Sequence, residues 1–284
     1  MKKSLILLLT SIFIFASCSN GNNSSDNVVT YIGTKAPTVA KEVGDIVFND
    51  GSAIPYTEFT GLDAATKDEK KTAAIALIFY KGTGLNSDAV GGTPDTTTIR
   101  TLGVGLKHNR NGIAWCLDSA AAYSNNIQTI QCPSSEISGA LTFTGDKNGS
   151  DNLEQIEAFE EVDDTGTDAN YPAFYFAKNY KGEKLGSESS SRIPAGSEFE
   201  NGWYLPSIAE LFQIYSCSAD STNGFNIDAA SEALGGNKFK ESWYISSSQC
   251  VEDNGHAYVI SKEGIGAYFK YSSYYYVCAI RAFN

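Results

Sequence analysis

The chain has 284 residues and carries 33 acidic against 21 basic side chains, a formal net charge of −12. That balance repels a nucleic-acid backbone and anionic lipid headgroups, which excludes DNA or RNA as an expected partner. With 42% hydrophobic residues and 26 glycines, the body is of ordinary globular composition and long enough for one large domain.

In chain order, Lys2 and Lys3 precede an apolar run from Leu5 to Phe15. The run suits a signal peptide and is too short for a membrane span. Phe15-Ala16-Ser17-Cys18 follows and resembles the lipobox of bacterial lipoproteins. That resemblance implies cleavage after residue 17, acylation of Cys18 and a membrane-anchored product in the cell envelope, facing outward from the outer membrane; a plain secretory signal cleaved nearby, leaving Cys18 an ordinary thiol, is the alternative. Several acyl chains on one Cys would hold the protein firmly, because a single chain is a marginal anchor. Loss of Lys2 and Lys3 moves the formal charge from −12 to −14. Residues 18–40 open on Ser-Asn-Gly-Asn-Asn-Ser-Ser-Asp-Asn after the Cys, a polar tether with nothing to bury. Residues 41–284 are the expected domain.

Gly44–Gly51 reads as a strand running into an Asp-Gly turn. Asp63–Thr72 is charged and free of breakers, a short surface helix. Ala73–Tyr80 is a continuous apolar run, read as a buried strand. Gly82–Thr98 and Ser187–Ser191 read as surface loops. Leu102–Leu106 and Gly112–Leu117 are further strand candidates. Asn170–Lys181 sets Ala173, Phe176, Ala177 and Tyr180 on one helical face, with Pro172 tolerated in the first turn. After Trp203-Tyr204-Leu205-Pro206, Ser207 and Glu210 have capping-box spacing, and Ile208, Leu211, Phe212 and Tyr215 form one apolar stripe. Asp228–Leu234 is a short helix stopped by Gly235-Gly236. Strands then follow at Tyr244–Ser247, Ala257–Ile260, Ala267–Lys270 and Val277–Ala282. The layout is α+β, with two to four helices and an antiparallel meander at the end.

Catalytic and metal signals are thin. His108 lies in a basic Lys-His-Asn-Arg turn and reads as a surface residue; His256 reads as an exposed loop residue or ligand contact. No G-x-S-x-G or H-E-x-x-H occurs. Asp146–Asp151 lacks the register of a calcium loop and reads as a polar loop. Glu160-Glu161 and Asp163-Asp164 read as a solvated acidic face. Beyond Cys18 stand Cys116, Cys132, Cys217, Cys250 and Cys278, an odd number without zinc-site spacing. Cys116 with Cys132 and Cys250 with Cys278 are candidate pairs, and buried free thiols are the alternative. No cofactor, metal or enzymatic activity is expected.

Seven of the sixteen tyrosines fall between Trp243 and Asn284, interleaved with serines. Tyr supplies rigid amphipathic contact area and Ser small adaptable hydrogen-bonding groups, the chemistry of a binding surface. A Tyr-rich sheet is the alternative.

Three segments carry a further resemblance. Trp203-Tyr204-Leu205-Pro206-Ser207-Ile208-Ala209-Glu210-Leu211 resembles the G-W-R-L-P-T-x-x-E-L segment of the DUF1566 and formylglycine-generating-enzyme-type branch of the C-type lectin fold. Tyr244-Ile245-Ser246-Ser247-Ser248 is similar to its Y-W-S-S-S, and Val277–Phe283 to its closing V-R-A-V-R. Ile245 departs from the usual Trp and Cys278 from an Arg. Within that branch the chain most resembles the variable surface lipoproteins diversified by diversity-generating retroelements. There, adenine-containing codons near the C-terminus are rewritten; Cys250, His256, Tyr268, Tyr271, Ser272, Ser273, Tyr274 and Tyr275 are residues such codons yield. The catalytic cysteine motifs of the formylglycine-generating enzymes find no match, and the calcium-dependent sugar-binding tripeptides Glu-Pro-Asn and Gln-Pro-Asp are absent.

The resemblance implies a lectin-like scaffold with Trp203, Leu205, Leu211 and Phe212 in its core, and a protein or glycan ligand outside the cell. The expected contacts are His256, Tyr258, Tyr268, Lys270, Tyr271, Ser272, Ser273, Tyr274 and Tyr275; alternation along strands turns some of these inward. The competing expectations are a fixed adhesin for host glycan or matrix, and a periplasmic structural protein or sulfatase-modifying-type enzyme.

Overall fold

The computed structural model describes residues 29–86, 96–127, 130–132, 146–160, 170–181, 191–219, 225–240 and 242–284. Cys18, the lipobox, most of the polar tether and Asp163-Asp164 lie outside them.

Chain chemistry sets the first hairpin. β1 (Asp45–Phe48) turns through Asn49–Ser52 into β2 (Ala53–Pro55). Gly51 sits at φ +81°, a conformation that only glycine adopts without strain. Asp50 braces the turn by accepting from Ser52 N and Ser52 Oγ. Two helices follow, α1 (Tyr56–Thr60) and α2 (Ala64–Ala73). Asp63 caps α2 by accepting from Thr66 N at 3.0 Å, leaving its charged side chains to solvent.

β3 (Ala74–Gly82) and β4 (Arg100–Gly105) pair antiparallel. Sheet 1 has the order β2-β1-β3-β4-β10-β6, where β6 is Trp203–Tyr204 and β10 is Ile280–Ala282. Its interior strands are packed on both faces. Ile46, Phe48, Leu77 and Phe79 join one apolar layer, and Val47, Ala76 and Ile78 join the other. Burial on both faces explains why Ala74–Phe79 is a continuous apolar run and not an alternating one.

The first layer is closed by α6 (Ile208–Ala219) and α7 (Ile227–Ala233), through Ile208, Leu211, Ile214, Ile227 and Ala230. The second is closed by α5 (Pro172–Lys178), with Phe174 and Ala177, and by the Trp115 loop. Sheet 2 has the order β5-β7-β8-β9, formed by Gln131–Cys132, Tyr244–Cys250, His256–Ser261 and Gly264–Phe269. β5 runs parallel to β7, and the other pairs are antiparallel. Two further helices are α3 (Ala121–Ser124) and α4 (Gly149–Glu160).

The α+β class is as expected, with largely antiparallel sheets. Seven α-helices among the described residues replace the two to four expected. Asp146–Asp151 is not a plain loop: Asn148 Oδ1 accepts from Ser150 N and Asp151 N and starts α4. Gly112–Leu117 is not a strand. It is bonded to the last loop of the chain, but Gly112 takes φ +76° and lies so close to that loop that a Cβ there would meet Ser273 O at 1.8 Å, so the position needs glycine. The folded body also starts earlier than residue 41. Ile32 N donates to Asp50 Oδ2, and Lys35 exchanges backbone hydrogen bonds with Ala53, so Tyr31–Asn284 forms one unit.

Candidate functional site

The three family-like segments, far apart in sequence, meet in one place. Arg281 and Ile280 of β10 pair with Trp203 and Tyr204 of β6. Ser247 N donates to Pro206 O at 2.8 Å, and Ile208 N to Ser248 Oγ at 2.8 Å. The first turn of α6 is therefore capped twice. Ser248 takes the N–H of Ile208, and Glu210 Oε2 accepts from Ser207 N at 2.9 Å in the expected capping box. Gly149 N adds a second donor to Glu210 Oε2 at 3.0 Å, and Tyr204 Oη donates to Oε1 at 3.0 Å.

Ser246, Ser247 and Ser248 are fully buried and satisfied by partners, as buried hydroxyls must be. Asn152 donates to Ser247 Oγ and to Asp146 Oδ2, while Ser248 Oγ donates to Asp146 Oδ2. This network is scaffold, holding α4, α6 and β7 in register.

The C-terminal loop is bound to that scaffold through its backbone. Trp115 N donates to Lys270 O at 2.8 Å, and Ile113 N to Tyr275 O at 3.1 Å. Tyr276 N donates to Trp243 O, Ile245 N to Tyr276 O, and Asn109 and Val277 exchange both bonds. Ser272 N closes a turn onto Phe269 O. The main chain of 270–277 is thus fixed at both ends while Tyr271, Ser273 and Tyr274 project outward. Tyr274 is 85% exposed, Tyr271 46% and Tyr268 40%; Ser273 is exposed and Ser272 half-buried.

Three expected contacts are corrected. Tyr258 is buried in the core beneath β8, its hydroxyl 3.6 Å from Cys250 Sγ. Tyr275 is buried against Tyr268, with ring centroids 5.9 Å apart. Lys270 is wholly buried. Its ammonium donates to Ala122 O at 2.6 Å and Asn126 Oδ1 at 3.1 Å, and lies 4.9 Å from the Trp115 ring centroid. Burial pushes its pKa down to about 8. Tyr258 is buried because β8 is packed on both faces, with Tyr258 and Ile260 in one apolar layer and Ala257 and Val259 in the other. Lys270 has a structural task, clamping α3 and the segment after it to the base of the loop.

His256 is half-buried, with Nδ1 2.9 Å from Asp253 Oδ2. That contact, with the Gly255 N–H, holds the Asp253 carboxyl below its usual range. The ring packs on Phe269 at 4.4 Å, and Phe269 packs on Tyr271 at 5.3 Å. Tyr271 meets Tyr123 edge-on at 5.8 Å. On the other side of β9, Tyr268 meets Trp243 edge-on at 5.3 Å. Phe269, Tyr123 and Trp243 extend the aromatic surface and were missed by sequence reasoning. Phe269 is readable as the out-of-phase partner of Tyr268, whereas nothing local marks Tyr123.

His108 is not a surface residue. It is buried, with Nδ1 2.6 Å from Tyr244 Oη and its ring on Phe239. Burial lowers its pKa to about 3, so it is neutral at physiological pH. Cys250 and Cys278 keep free, buried thiols and form no pair; burial pushes the Cys278 thiol up. The side chain of Cys132 lies outside the described residues. Trp203, Leu205 and Leu211 are core as expected, and Phe212 packs half-buried against it. Among the described residues no group of three His, Cys, Asp or Glu is placed to hold a metal ion, and no helix is long and apolar enough to cross a membrane. What the arrangement offers chemically is a display of aromatic faces, phenol hydroxyls and serine hydroxyls on a fixed backbone.

No family model and no curated protein matches the chain. Among solved structures it is similar to a fimbrial protein from Bacteroides ovatus ATCC 8483, with a TM-score of 0.51 and 14% identity. The match covers 85% of this chain and 49% of that one, so this chain spans about half the length of the fimbrial protein. At that identity the likeness speaks for the fold alone.

Proposed function

We propose that this protein is a lipid-anchored, surface-displayed binding protein. It recognises a protein or glycan ligand non-covalently through the C-terminal Tyr/Ser surface of a C-type-lectin-like domain. The observation that supports it is the loop 270–277, whose backbone is tied to the body at both ends while Tyr271, Ser273 and Tyr274 point into solvent. Large exposed aromatics cost solubility and contribute little to folding, so a cluster of them speaks for recognition. The revised contact set is Tyr268, Phe269, Tyr271, Ser272, Ser273 and Tyr274, with His256, Tyr123 and Trp243 behind them.

In this reading Cys18 carries the lipid and the residues after it hold the domain away from the membrane. Diversification by a retroelement fits the same division, since side chains on a pinned backbone can change without disturbing the Ser246–Ser248 and Glu210 networks. Protease treatment of intact cells tests display: the protein should be shaved off, and full protection would contradict an outward address. A fixed adhesin, using the same exposed aromatics without diversification, is the second reading. The DNA separates the two. A near-copy of the Trp243–Phe283 coding region beside a reverse transcriptase gene supports diversification, and its absence supports the fixed adhesin.

A further inference from the structure

The two sheets have four edges, and three of them are blunted. β2 is three residues long, ends in Pro55, and is already bridged to Lys35. β6 and β5 are two residues each. β9 is different: six residues, Gly-Ile-Gly-Ala-Tyr-Phe, in unbroken register with β8 and hydrogen-bonded, among the described strands, to β8 alone. It has no proline, no bulge and no charged side chain, the devices that normally protect an edge.

The register fixes which backbone groups are open. Lys270 N donates to Gly255 O, and Gly255 lies opposite Lys270 in the ladder. In an antiparallel pair alternate residues bond inward. Gly264, Gly266 and Tyr268 therefore serve β8, and Ile265, Ala267 and Phe269 turn their N–H and C=O groups outward. Gly264, Gly266 and Ala267 leave little side-chain bulk in the way.

We propose that β9 pairs antiparallel with β9 of a second copy of this chain, about a two-fold axis at Ala267. The strand is complementary to itself in that register. Ala267 faces Ala267, and Ile265 of each copy faces Phe269 of the other. Gly266 faces Tyr268, so that Ile265 and Gly266 each meet an aromatic residue. No like charges oppose. Glu263 of one copy falls beside Tyr271 of the other, and the two Glu263 carboxylates stand about 26 Å apart at about 3.3 Å per residue. The contact is isologous and closes as a dimer. It joins the two four-stranded sheets into one and leaves Tyr274 of each copy free. The pairing rests on the backbone of β9 and the ligand reading on side chains; Tyr268 and Phe269 of the contact set lie on the strand and would border the seam, while Tyr271, Ser273 and Tyr274 lie on the loop beyond it.

Cysteine cross-linking of the full chain tests it. In a directly opposed antiparallel pair the Cα atoms are about 5.5 Å apart, within disulfide reach. Ala267→Cys should give, under mild oxidation, a species of twice the monomer mass on a non-reducing gel, well above the wild-type background. Glu263→Cys, equally exposed but remote from its own copy, should stay at that background. Ala267→Cys remaining monomeric, or both variants cross-linking alike, would overturn the pairing. Failure of ligand capture in loop variants would leave the cross-link unchanged, so the two ideas fail separately.

Discussion

Replacing Trp203 with Ala should cost about 3–5 kcal/mol of folding free energy, as expected for deleting a large buried aromatic. Trp203 is buried where β6, α5 and the C-terminus meet, against the rings of Tyr180 and Phe283. Its indole N–H donates to Phe199 O at 2.7 Å. The change leaves a cavity and an unpaired buried carbonyl together. A domain of ordinary stability has only about 5–15 kcal/mol in hand, so much of the population should unfold on mild heating. Tyr274→Ala is the counterpart: at 85% exposure it should shift stability by less than about 0.5 kcal/mol. Denaturant midpoints of the two variants measured side by side test the division of aromatics into scaffold and display. Equal losses would refute it.

The second large effect concerns pH. Burial pushes the Glu210 carboxyl up to about 8, against the lowering pull of the Ser207 and Gly149 N–H groups and the Tyr204 hydroxyl. In the unfolded chain it titrates near its ordinary 4.5. The folded state therefore holds a proton that the unfolded state releases between those values. Its stabilising contribution is full below about pH 4.5 and is lost as pH rises through about 8. At roughly 1.4 kcal/mol per unit, the loss across that window is on the order of 5 kcal/mol. Glu210→Gln cannot ionise and keeps the acceptor for the capping N–H groups. Urea midpoints from pH 5 to pH 9 should fall more steeply for the wild type than for Glu210→Gln. Parallel curves would mean that the carboxyl is already ionised in the fold.

Much of this scaffold was legible because local chemistry and global packing agree there. Ser207 and Glu210 announce the start of α6 by spacing, and the structure makes that capping box with its reciprocal bonds. Asp63 and Asn226 cap their helices in the same local way. The failures share a cause, in that inward faces there are polar. α4 turns Asn152 and Gln155 inward beside Ile156, because it must bond to the serines of β7. Its polar start, within Asp146–Asp151, reads as a loop, and no apolar stripe announces the helix beyond it. His108 sits in a basic, surface-like tetrapeptide, yet its ring is enclosed by Phe239 and Tyr244 from well over a hundred residues away.

The site was half legible for a related reason. Composition pointed to the Tyr/Ser tail, but sequence does not state which strand residues face outward. The place of each strand in the sheet makes that choice: Tyr258 is on β8, packed on both faces, and Tyr268 on the edge strand β9, while the Trp115 loop makes it for Lys270 by drawing its ammonium inward. Tyr123 joins the surface through a fold contact with Tyr271, with no signal of its own.

The most direct test of the central claim is capture by the full chain on a glycan array and on immobilised extracellular-matrix proteins, with Tyr271→Ala/Tyr274→Ala beside the wild type. Two display aromatics at the centre of a recognition surface should carry about 2 kcal/mol or more between them. The account predicts that capture falls at least about tenfold while the denaturation midpoint stays within about 0.5 kcal/mol of wild type. Undiminished capture by a folded double variant would contradict it.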